Sequence, residues 1–226
     1  MKRYQLLSIL ALTATMLACN LSSPAPTATL TAIPASATAT EIPATPTLIP
    51  TETPIPGEVV LDFTKQLCNA KWMNGGQKFE ACPDPIGDIS MGYATLIDPA
   101  TEGISADLPV LLTIPATNGY AALFLRYPAL KIEAGDRFRA TLQCQASAPQ
   151  CDVSFGLDYY DANGKYHSPL VMWDYHSGQQ PLIVDFDLSQ IAGQNVDLVL
   201  ALRPNNATPE GDLALWVNPQ VFRPTK

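Results

Sequence analysis

Arg137-Phe138-Arg139-Ala140-Thr141-Leu142-Gln143-Cys144 alternates a polar with an apolar side chain along its whole length. Successive side chains of a strand point to opposite faces, so a period of two means that one face packs inward and the other meets water. A helical face needs apolar residues at i+3 as well as i+4, and here the positions three after Phe138 and Ala140 are the polar Thr141 and Gln143. The same period returns where Val196, Leu198, Leu200 and Leu202 alternate with Asp197 and Arg203. Outward from these two stretches lie short runs rich in Val, Leu, Phe and Tyr, broken by Gly, Pro, Asn and Asp. They predict strands near 59–63, 93–97, 110–114, 120–127, 137–144, 153–160, 170–176, 182–186, 196–202 and 213–221. The best hairpin signal is Asp161-Ala162-Asn163-Gly164, between a tyrosine pair and Tyr166. One helical turn is expected over 188–193. Many short strands at close spacing, with no helical period sustained for three turns, predict an all-β fold, an antiparallel β-sandwich over residues 58–226.

Ahead of the sandwich the composition changes. Residues 20–57 carry eight prolines, nine threonines and only two charges, Glu41 and Glu52. Such a stretch cannot bury enough apolar area to offset its ordering entropy, and proline favours extended conformations, so 19–57 is expected to be a disordered linker. At about 3.1 Å per residue it would reach on the order of 100 Å. Before it, Lys2 and Arg3 precede an apolar run that ends at Ala18 and Cys19. The run falls short of the roughly 20 apolar residues that span a bilayer and reads as a secretory signal peptide over 1–18. Met16-Leu17-Ala18-Cys19 resembles the lipobox of bacterial lipoproteins. The resemblance implies cleavage before Cys19, lipid (palmitate) on its sulfur and an extracytoplasmic protein whose partner is the membrane through that anchor. One acyl chain binds marginally, whereas a diacylglyceryl group holds firmly.

The formal charge is −8, and removal of Lys2 and Arg3 with the signal leaves 11 basic and 21 acidic side chains. An acidic, sparsely charged chain makes nucleic acid an unsuitable partner. With Cys19 assigned to lipid, four cysteines remain, and in an exported protein an even number reads as disulfides. Of the three pairings, Cys68 with Cys82 and Cys144 with Cys151 is favoured, because each closes a short loop rich in turn residues. No Cys-x-x-Cys spacing points to a metal site.

The last third resembles carbohydrate-binding modules and other galactose-binding-like jelly rolls, through Asp187-Leu188-Ser189-Gln190-Ile191-Ala192-Gly193-Gln194-Asn195-Val196 and Ala214-Leu215-Trp216-Val217-Asn218-Pro219-Gln220-Val221. The resemblance implies a jelly-roll-like sandwich whose closing strand returns beside the first. It also implies a structural calcium between those strands, drawing on Asp62 or Asn218, with no other cofactor. The turn at Asp161-x-Asn163-Gly164 is not itself a calcium loop, since the first and twelfth ligands would fall on Tyr159 and Leu170.

Candidate binding residues follow from strand parity. If Phe155 and Leu157 face inward, Asp158 and Tyr160 face outward. If Leu170 and Met172 face inward, Trp173 and Tyr175 face outward, although the opposite parity would bury Val171 with Trp173. Arg126, Arg139 and Arg203 fall on outward positions by the same counting. Flat rings stack on the apolar faces of sugars, while Arg and Asp supply paired hydrogen bonds to hydroxyls or carboxylates. The expected ligand-binding set is Trp173, Tyr175, Tyr160, Asp158, Arg126 and Arg139. In the competing reading a loop covers the two aromatics and the arginines pair with Asp185, Asp187 or Asp197. Trp72 and Trp216 are expected in the core.

The chain has no Gly-x-Ser-x-Gly elbow, no His-Glu-x-x-His, no phosphate-cradling glycine loop and only two histidines. It is therefore expected to have no catalytic residues and not to be an enzyme. Two functions remain: a lipid-anchored binding module for glycan or another polar ligand, and a cell-envelope structural domain that docks a surface protein.

Overall fold

The computed structural model describes residues 55–74, 77–79, 89–117 and 122–225. All lie in the second of the chain's two units, Glu52–Lys226. The signal peptide, Cys19, most of the proline-threonine tract and Cys82 lie outside the described residues. Among those described, thirteen strands run β1 (Gly57–Asp62), β2 (Lys71–Asn74), β3 (Gln77–Phe79), β4 (Tyr93–Ile97), β5 (Val110–Ile114), β6 (Leu123–Arg126), β7 (Leu130–Lys131), β8 (Arg137–Cys144), β9 (Asp152–Tyr160), β10 (Tyr166–His176), β11 (Leu182–Asp187), β12 (Asn195–Pro204) and β13 (Ala214–Pro224). A six-stranded sheet has the order β11-β8-β13-β5-β4, with β1 also on β13; a seven-stranded sheet has the order β10-β9-β12-β6-β2-β3, with β7 on β12. Every pairing is antiparallel.

The ten expected strands are all present, with ends shifted by a few residues, and the helical turn is a 3-10 turn at Ser189–Ile191. The short β2, β3 and β7 were not expected, since two to four residues are too few to display a period. β10 begins at Tyr166 rather than 170. Asp161 accepts from the amides of Asn163 and Lys165, both at 2.9 Å, and the tight turn this makes pairs Tyr166 with Tyr160. The ladder then slips between His167 and Val171.

That slip decides the parity of β10. Val171, Trp173 and Tyr175 pair with Leu157, Phe155 and Val153, and all face the core. Trp173 and Tyr175 are thus turned inward, contrary to the expectation that placed them on the ligand face, and Met172 is turned out instead, 46% exposed. Trp173 crosses between the sheets, stacking on Phe138 of β8 with ring centroids 5.8 Å apart and meeting Phe186 of β11 edge-on at 6.1 Å. Trp216, fully buried, packs edge-on against Phe155 at 4.8 Å and donates its indole N–H to Thr113 Oγ1 at 3.1 Å. Trp72 is also buried. Cys144 and Cys151 form the expected disulfide, which by loop-closure entropy contributes about 2.5 kcal/mol. Cys68 is likewise disulfide-bonded.

A second apolar cluster lies on the outer face of the six-stranded sheet, where Tyr93, Val110, Leu112, Ile114, Leu215 and Val217 are covered by Ile104 and Leu108. The covering loop, 98–109, opens with a short turn capped by Asp98 and closes against the disulfide loop, Glu102 accepting from Gln145 Nε2 at 2.9 Å and Ala146 N at 3.0 Å. Among the described residues, it leaves the β8 and β11 side of this face uncovered.

Candidate functional site

β9 and β12 are neighbours at the middle of the seven-stranded sheet, and both are buried on two sides. Their inward residues, from Val153 to Leu157 and from Val196 to Leu202, fill the core. Their outward residues Ser154, Gly156, Asp158, Val199 and Ala201 are buried as well. A half-exposed sheet would leave these positions wet, so their burial means that larger side chains lie across them.

The covering groups come from the surrounding positions. Tyr160 and Tyr166, opposite each other in the register, have ring centroids 4.9 Å apart, and Phe124 of β6 meets Tyr166 edge-on at 6.3 Å. The Arg126 guanidinium lies 3.8 Å above the Tyr160 ring and donates from Nε to Asp197 Oδ2 at 2.7 Å. Arg203 Nη1 lies against Gly156, where an added Cβ would be 2.4 Å from it, so a side chain at this position would displace the guanidinium. From there Arg203 Nη2 donates to Asp158 Oδ2 at 2.5 Å and to Ser168 Oγ at 2.9 Å. The Tyr166 hydroxyl donates to the same Asp158 oxygen. Burial and that hydrogen bond push the phenol far above its ordinary pKa, so Tyr166 remains a donor. Asp158 Oδ1 and Arg203 Nη1 are buried without a hydrogen-bond partner.

Asp158, Tyr160 and Arg126 therefore share one face, as strand parity indicated. Trp173 and Tyr175 do not, and Arg139 belongs to the other sheet, on β8, where it pairs with Asp185 rather than with any of these residues. Arg126 does pair with Asp197, as in the competing reading. The residues not singled out are Tyr166 and Phe124. Both had a signal: a tight Asp161–Lys165 turn puts Tyr166 beside Tyr160, and an outward Arg126 implies an outward Phe124 two residues earlier. Chemically the face offers three rings, one of them 38% exposed at Tyr166, beside two Arg–Asp pairs whose charges cancel. Such a surface is suited to the C–H faces and paired hydroxyls of an uncharged sugar.

Asp62 and Asn218 line a cleft on the opposite side. Asp62 Oδ1 accepts from Thr64 N, Thr64 Oγ1 and Lys65 N at 3.0, 2.6 and 3.1 Å, and Oδ2 pairs with Lys65 Nζ at 2.9 Å. Burial opposes ionisation here, but the bonds from Thr64 and Lys65 outweigh it and hold the carboxyl below its usual range. Asp107 and Gln220 line the same cleft, so the side chains around Asp62 and Asn218 include a second carboxylate and a second amide. Among the described residues no three His, Cys, Asp or Glu side chains converge on a metal position.

The fold is an all-β sandwich of two antiparallel sheets in which the closing strand β13 lies beside β1, and one sheet carries an aromatic and arginine-lined face. No protein-family model matches the chain, and no curated protein matches it. Among solved structures it is similar to the xylan-binding CBM22-1 domain of Paenibacillus barcinonensis Xyn10C, at 14% identity over 77% of this chain and 99% of that one, TM-score 0.44. It is similar also to TmCBM61 in complex with β-1,4-galactotriose, at 8% identity over 74% and 99%, TM-score 0.44. A third similar structure is the CBM22-1 and GH10 portion of Clostridium thermocellum xylanase Xyn10B bound to xylohexaose, at 10% identity and TM-score 0.44; the match covers 75% of this chain and 29% of that one.

Proposed function

We propose that the protein is a non-catalytic glycan-binding module, lipid-anchored through Cys19 and carried outside the cell membrane on its proline-threonine spacer. The observation that carries the binding reading is the outer face of the seven-stranded sheet, where Tyr160, Tyr166 and Phe124 gather beside the compensated pairs Arg126–Asp197 and Arg203–Asp158. The ligand is an uncharged glycan chain that stacks on the rings and bridges the arginines. A glycan array probed with the full chain tests this. Tyr160→Ala, which removes a ring whose hydroxyl makes no hydrogen bond among the described residues, is expected to weaken the best array ligand by roughly tenfold or more while barely moving the melting temperature. Affinity unchanged by Tyr160→Ala, or an array with no hits, would favour the surface-protein reading.

The anchoring rests on Lys2, Arg3 and Met16-Leu17-Ala18-Cys19. Wild-type protein fed a palmitate analogue is expected to carry the label and sediment with membranes. Cys19→Ser is expected to be unlabelled and either unprocessed or released. An unlabelled wild type that washes off in salt would refute the anchor.

A further inference from the structure

We propose that the opposite side of the sandwich carries a second binding site, a cleft for the carboxylate of an acidic sugar, separate from the aromatic face and independent of its function. The cleft holds about 270 Å³ and lies on the outer face of the six-stranded sheet, where loop 98–109 stops short of β8 and β11. Its key group is Arg139. The guanidinium carbon rests 4.0 Å from the centre of the Phe222 ring, which holds the plane in place. Its neighbour Arg137 takes Asp185 by a hydrogen bond from Nε and a further one, at 2.9 Å, from Nη2 to the Asp185 carbonyl. Arg139 is left with Asp185 Oδ2 3.3 Å from its Nε, an ion pair whose geometry makes no hydrogen bond, so that Nε is buried and unsatisfied.

An arginine is a planar fork of donors matched to a carboxylate, and among the described residues none of the Arg139 donors makes a hydrogen bond. Around it in the same cleft stand Thr141, Asn218 and Gln220, whose side chains also make no hydrogen bond among the described residues. Asn218 reaches this position because β13 bulges between Val217 and Gln220, giving it a left-handed φ of 50°. Val217 lines the floor and Ile183, 81% exposed, the rim. Asp185 lines the cleft too, but Arg137 takes its charge, and the hydroxyl and two amides beside the Arg139 guanidinium complement a ring bearing several hydroxyls and one carboxylate, while Val217 and Ile183 meet its C–H side. The volume suits about one sugar ring and is too small for several residues of peptide. A uronate residue, terminal or within a chain, meets all of these requirements.

The test is calorimetry on the full chain with trigalacturonate, its methyl ester and neutral galactotriose, and with tetra-alanine as a peptide carboxylate. Trigalacturonate is expected to bind, more weakly as salt rises, and its methyl ester to lose that binding. Arg139→Gln is expected to weaken trigalacturonate by roughly 10- to 100-fold, as loss of charge-assisted hydrogen bonds implies. Tyr160→Ala should leave it unchanged, which separates this site from the aromatic face. Should Arg139→Gln fail to fold, Gln220→Ala, which breaks no side-chain hydrogen bond among the described residues, is expected to weaken trigalacturonate severalfold. Ester and acid binding alike, full affinity in both variants, no trigalacturonate binding at millimolar concentration, or binding of tetra-alanine in its place would each overturn the proposal.

Discussion

Replacing Arg203 by alanine is expected to lower the stability of the sandwich by about 3 kcal/mol. Asp158, its partner, has a completely buried side chain although it points away from the core. Two groups compensate that buried charge: the Arg203 guanidinium at 2.5 Å and the Tyr166 hydroxyl. Truncating Arg203 leaves a carboxylate under the rings with one neutral donor, and removing one partner of a buried pair costs about 3 to 5 kcal/mol. The lower end applies because Arg203 itself is a quarter exposed, so water can reach the vacated space. Urea unfolding measures the loss. The double variant Asp158→Asn with Arg203→Ala should recover at least about 1 kcal/mol of it, since the uncompensated charge is gone. If the single variant loses less than the double, Asp158 is not held by Arg203.

Trp173→Ala is expected to cost about 3 kcal/mol as well, for a different reason, and to leave glycan affinity untouched. Its indole stacks on Phe138 and meets Phe186 edge-on, so it joins β10 of one sheet to β8 and β11 of the other. Alanine there opens a cavity between the sheets at the edge of the sandwich. For a domain of this size the melting temperature should fall by roughly 6 to 12 °C. Tyr160→Ala should show the reverse pattern, with affinity lost and melting preserved. A Trp173→Ala protein that melts like wild type but no longer binds glycan would place the ligand against β10 and refute the inward parity.

The sequence by itself determined the fold class and most of the strands, because a period of two is a local property that each strand displays whatever it packs against. It also favoured the Cys144–Cys151 bridge among three pairings, because that loop is short and rich in turn residues, and it put Asp158 and Tyr160 outward once Phe155 and Leu157 face the core, as they do. The pairing of Tyr160 with Tyr166 was not read from the sequence, although its signal lay in the Asn163-Gly164 turn, since a tight turn dictates which residues oppose each other. Three matters needed the tertiary structure. Leu170-Val171-Met172-Trp173 is apolar at every position, so either parity buries a comparable set, and only the slip between His167 and Val171 selects Trp173 for the core. Arg139 has the same local pattern as Arg126, and nothing local says that β8 and β6 belong to different sheets; sheet membership is set by pairing between strands far apart in the chain. The burial of Asp158 under Arg203 depends likewise on Gly156 lying beside Ala201 across β9 and β12. A small residue in one strand makes space for a long one from its neighbour, and no single stretch of sequence contains both.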